Sequence, residues 1–69
     1  MTIMDQIRTC PLNMVDILEL RGPVADYMDA IINLYSLDIM NKEQTDKILS
    51  EVEQAYKERV RIVRNINLN

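Results

Sequence analysis

The sequence predicts an all-α fold: a small bundle of three helices, or four if a short N-terminal segment also forms. A long C-terminal helix closes it, and dimerisation completes it. Gly and Pro are scarce, one and two residues among 69, so few positions can punctuate the chain. No stretch of roughly four to eight residues alternates cleanly between apolar and polar, as a half-buried strand requires. Apolar residues recur instead at three- and four-residue spacings, the signature of helices that bury one face.

Residues 3–9 form the short first helix, with Thr2 as cap and Asp5 three positions on, the pattern of a capping box. Pro11 interrupts it, because the residue before a proline is pushed out of the helical region. Pro11 then opens a second helix over residues 12–21, with Met14, Val15, Ile17 and Leu18 on its apolar side. Gly22 is expected to stop that helix by supplying a positive φ at no steric cost.

Pro23 opens a third helix over residues 23–36, at a first position where its missing N–H is not needed. With Ile31 at the centre of the helical wheel, Val24, Tyr27, Met28, Leu34 and Tyr35 all fall within about 60° of it. Ala25, Ala30 and Ile32 widen the apolar arc to about 220°, so this helix asks to be covered from two directions. Residues 37–40 make a short connection in which Ile39 and Met40 clamp the start of the next helix.

Asn41 and Gln44 again carry a capping-box pattern, with Glu43 favourable in the first turn. The last helix runs over residues 42–66, about 36 Å at 1.5 Å per residue. Its apolar face is Ile48, Leu49, Val52, Ala55, Tyr56, Val60, Val63 and Ile66. Arg61 and Arg64 near its C-terminus complement the helix dipole. The helix over 23–36, about 20 Å long, covers only half of it. Val60, Val63 and Ile66 are left needing a partner, and the cheapest one in a chain with no disulfide is a second copy.

Composition narrows the chemistry. A single domain of 69 residues buries only about 60% of its unfolded surface, so its own core is marginal. The chain has no His and one Cys, which excludes a disulfide framework, Cys/His zinc sites and the His-dependent nucleophile pairs within one chain. No catalytic, metal-binding or cofactor-binding residue is assigned. The carboxylate pairs Asp16/Glu19 and Asp26/Asp29 lie on helix faces as solvated charge, with Asp26 and Asp29 in the first turn after Pro23. Cys10 reads as a buried or turn thiol with no base to activate it. No apolar run spans a bilayer and the N-terminus does not resemble a signal peptide, so the expected location is the cytoplasm, with no membrane partner.

The net charge of −3 is uneven. Residues 1–56 carry ten acids and four bases, whereas residues 57–69 carry four bases and one acid. Arg59 falls in the middle of the apolar stripe of the last helix, close to Val52 and Val63 on the wheel. Its stem packs there with the head snorkelling to water, or it pairs across an interface with Asp16, Glu19 or Asp38. A ligand-binding arginine is the third alternative.

The expected function is that of a non-enzymatic protein–protein interaction module. It would be a small acidic homo-oligomer acting as a regulator, inhibitor or accessory protein, of the kind phages and mobile elements encode. Tyr27, Ile31, Tyr35, Leu49, Val52, Tyr56, Arg59, Val60, Val63 and Ile66 are the residues expected to meet a second copy or a second protein. The alternative is a nucleic-acid-associated regulator. It would use Lys57, Arg61 and Arg64, which share an outer helix face, to contact phosphates.

Overall fold

The computed structural model describes residues 2–67. Among them the regular elements are all helices: α1 over Ile3–Thr9, α2 over Met14–Ser36 and α3 over Lys42–Asn67. The three pack together as a bundle.

Local chemistry at the start of α1 is as the sequence implies. The Thr2 hydroxyl accepts from the Asp5 N–H at 3.1 Å and the Asp5 carboxylate accepts from the Thr2 N–H at 3.4 Å, a reciprocal capping box. Ile3 and Ile7, one turn apart, are buried. Cys10 leaves the helix in an extended conformation, as the residue before Pro11 must.

The start of α2 departs from expectation. Pro11 does not open the helix. It lies in the connection, where its carbonyl accepts the Asn13 N–H at 2.9 Å. The N-cap is Asn13, whose side-chain oxygen accepts from the Asp16 N–H at 2.9 Å. An Asn cap satisfies an orphan donor directly, which a proline at the first helical position cannot do.

The larger correction concerns residues 22 and 23. The chain does not break there: α2 runs unbroken for 23 residues with Pro23 inside it, and Gly22 has no positive φ. An interior Gly costs about 1 kcal/mol and an interior Pro about 3 kcal/mol relative to Ala, so local propensity opposes this helix by about 4 kcal/mol. Pro23 has no N–H to offer the carbonyl of Glu19, one turn back. Burial answers the deficit. Ile17, Leu20, Val24 and Ile31 fall on one side of the continuous helix and are buried, each such side chain contributing about 1.5–3 kcal/mol. Because the helix does not restart at Pro23, Asp26 and Asp29 lie mid-helix and gain nothing from an N-terminal dipole.

A tight turn reverses the chain. The Asp38 N–H donates to the Tyr35 carbonyl at 3.1 Å and the Ile39 N–H to the Leu34 carbonyl at 3.0 Å, with Asp38 at φ 60°. This is a Schellman motif with an aspartate where glycine is preferred. Ile39 does not clamp the next helix; it is 68% exposed, while Met40 is half-buried. The Asn41 side chain caps α3 by accepting the Gln44 N–H at 2.8 Å. Thr45 is buried one turn on, its hydroxyl donating to the Asn41 carbonyl at 2.7 Å.

Unbroken, α2 is about 34 Å long and α3 about 39 Å, so the two lie along each other as a near-matched antiparallel hairpin. α1 fills one flank at the end away from the turn. The core there gathers Ile3, Ile7, Cys10, Ile17, Leu20, Val24, Val52 and Val63. The molecule is a rod of 46 × 18 × 16 Å. No helix among the described residues is long and apolar enough to cross a membrane.

Candidate interaction surface

The residues expected at an interface divide by their place in the hairpin. Ile31, Val52 and Val63 face inward and are covered by the chain itself, Val63 completely. Tyr27, Leu49, Tyr56, Arg59 and Val60 are half-buried, and Tyr35 and Ile66 are exposed. The continuous α2, together with α1, therefore covers much of the C-terminal half of α3 that the sequence leaves bare.

Two polar side chains tie this end together. The Tyr56 hydroxyl donates to the Ile17 carbonyl at 3.0 Å, joining α3 to the first turns of α2. Arg59 sits within the apolar stripe because its guanidinium Nη2 donates to the Cys10 carbonyl at 2.8 Å, closing the C-terminal end of α1. Its Nε is buried without a hydrogen-bond partner, so only part of the guanidinium is used. Cys10 lies beside it as a buried free thiol. Burial raises the Cys10 pKa above the ordinary 9.0; the Asp16 charge adds to the rise and Arg59 opposes it.

The cationic row is exposed and lies in line on α3. Lys57 pairs with Glu53 at 2.8 Å and Arg61 pairs with Glu58. The hydrogen bond from Arg61 holds the Glu58 carboxyl below its ordinary value. Arg64 makes no ion pair among the described residues. Lys57, Arg61 and Arg64 edge a groove of about 590 Å³ between α2 and α3, whose floor is Val24, Met28, Tyr56 and Val60. None of its lining comes from α1, which instead borders Tyr27 on α2 and Ala55 and Ile62 on α3.

A second surface was hidden by the expected break in α2. Val15 and Leu18 do not share a face with Met14 and Ile17. They point outward at 66% and 55% exposure, and Ile32, two heptads beyond Leu18, is exposed with them. Val15, Leu18, Gly22, Ala25 and Ile32 share the three- and four-residue spacing of a helix-packing seam, which Asp29 interrupts between Ala25 and Ile32. That spacing is present in the sequence, but it emerges only when residues 14–36 are placed on one helix. Among the described residues no cluster of three or more His, Cys, Asp or Glu could hold a metal ion. Comparison of the chain with protein-family models, with curated proteins and with solved structures gives no match.

Proposed function

We propose that the chain is a non-enzymatic protein–protein interaction module. It is a small helical homo-oligomer that regulates, inhibits or assists a second protein in the cytoplasm. The supporting observation is the set of large apolar side chains left in water in a single copy: Val15, Leu18 and Ile32 on the outer face of α2, and Leu37 and Ile39 in the turn. The accessible surface is 5056 Å², where a compact monomer of 8.1 kDa exposes about 4,500 Å². The radius of gyration is 13.4 Å against about 11 Å for a compact chain of this length. Several large apolar side chains in water on one face of a small protein mark a candidate site of association.

Light scattering on a gel-filtration column tests this over about a hundredfold concentration range, since oligomers respond to dilution by mass action. A mass of at least twice 8.1 kDa is expected, falling to the single-chain value in a Val15→Asp, Leu18→Asp variant whose circular dichroism is unchanged. A single-chain mass at every concentration overturns the homo-oligomer. The exposed row Lys57, Arg61 and Arg64 supports a second reading, a nucleic-acid-associated regulator. The net charge of −3 counts against it, because the chain as a whole repels a polyanion.

A further inference from the structure

We infer that the groove between α2 and α3 is the docking site for an acidic amphipathic helix of a partner protein. The inference rests on the interaction-module reading and names the partner's chemistry. The floor is apolar, from Val24 and Met28 on α2 and Tyr56 and Val60 on α3. Its lining runs from Glu53 to Asn65 on α3, which is about 18 Å at 1.5 Å per residue. That length accepts about three turns of a second helix, enough for anchors at i, i+3 or i+4, and i+7. The volume of about 590 Å³ is of the size that side-chain anchors fill.

Charge selects the occupant. The chain as a whole is acidic, at −3, yet three cations edge this groove against the single acid Glu53. They are not gathered at one end, where they would suit a lone phosphate or carboxylate headgroup. Lys57, Arg61 and Arg64 are spread along the groove at rises of about 6 and about 4.5 Å. Carboxylates one turn apart on a helix laid beside them meet that spacing. Arg64 makes no ion pair among the described residues, while Lys57 and Arg61 can exchange exposed intrahelical partners for interchain ones. Such complementarity steers encounter and fixes register. It also disfavours a second copy stacked groove to groove, because the two cationic edges would meet. The groove floor carries one aromatic ring, that of Tyr56, where tracking a single strand takes successive stacking rings.

The test uses the full chain and two synthetic helical peptides of about 14 residues, matched to the groove length. Both carry Leu anchors at i, i+3 and i+7; one is flanked by Glu and the other by Lys. Amide shifts are mapped by NMR, and the mass of the same sample is read by light scattering. The Glu peptide is expected to shift Val24, Met28, Tyr56 and Val60 and to bind at least about tenfold tighter than the Lys peptide. A Lys57→Glu, Arg64→Glu variant should reverse that order, while Lys42→Glu, exposed at the start of α3 and outside the groove, should leave it unchanged. Equal binding of the two peptides, no binding of the Glu peptide, or shifts confined to the outer face of α2 each overturn the proposal. A short DNA duplex that displaces the Glu peptide and shifts the cationic row replaces it with the nucleic-acid reading. A stable oligomer whose groove amides are already covered by the second copy overturns the groove proposal and leaves the interaction module standing. A stable monomer that binds the Glu peptide does the reverse for self-association.

Discussion

Replacing Gly22 with Ala tests the central feature of the fold, a helix carried through a Gly-Pro pair. Gly22 lies in the interior of α2 without a positive φ, and a Cβ built there meets nothing within 4 Å beyond its chain neighbours and the helix's own backbone. The substitution removes the backbone freedom that glycine gives the unfolded chain and improves helix propensity, while its Cβ also meets the ring of Pro23, which disfavours a helical residue before it. The gain is therefore at most about 0.8–1 kcal/mol. In a domain of this size even that is a large fraction of the total, which runs at about 0.05–0.15 kcal/mol per residue. The midpoint of thermal unfolding should rise by at most about 4–8 °C. Circular dichroism melts and urea titrations at matched protein concentrations measure it, the matching being needed because association would itself raise the midpoint. A loss of about 2 kcal/mol or more, beyond what the Pro23 ring imposes on its neighbour, would refute the continuous helix. It would mean that residue 22 occupies the left-handed conformation of a helix stop, where a Cβ costs about that much.

Three other substitutions probe the contacts that shape the ends of the molecule. Arg59→Ala should cost about 1.5–3 kcal/mol, because it removes a charge-assisted hydrogen bond to the Cys10 carbonyl; a urea midpoint within error of the parent would show that α1 does not depend on it. Asp38→Gly should stabilise by up to about 1 kcal/mol, since glycine adopts the φ of 60° without strain, and an unchanged or lower melting midpoint would contradict the Schellman turn. Cys10 should react slowly with a thiol reagent in the native state and at least about tenfold faster in urea, because burial suppresses both access and thiolate. Its raised folded pKa favours the thiol in the native state. Stability is therefore whole below the ordinary value of 9.0 and falls as pH rises above it. Cys10→Ala should remove that part of the alkaline loss, and identical alkaline profiles for the two proteins would exclude the coupling.

Two helix starts are legible from capping side chains, while the Asn13 cap of α2 is masked by the neighbouring Pro11. Thr2 with Asp5 and Asn41 ahead of Gln44 are short-range hydrogen-bonding patterns, readable from spacing alone. The long α3 was legible for a related reason, since its apolar face repeats without a breaker from Ile48 to Val63. The candidate interface was only partly legible. Tyr35 and Ile66 are exposed, but Val52 and Val63 disappear into the chain's own core, and Val15 and Leu18, which the shorter helix groups with Met14 and Ile17, stand in water with Ile32. All of these placements turn on whether residues 14–36 are one helix or two.

The sequence by itself determined that the chain is helical, where its reversal falls, and that one end of α3 carries a cationic row. Those are properties of neighbours three or four residues apart, and local propensity and capping are sufficient for them. Only the tertiary structure decided the passage through Gly22 and Pro23, the capping of α1 by Arg59, and which apolar residues remain for a partner. Each of these sets a local cost of a few kcal/mol against burial gained with residues far along the chain. An unbroken α2 can lie along nearly the whole of α3, and that long-range packing outweighs the break encoded at the Gly-Pro pair.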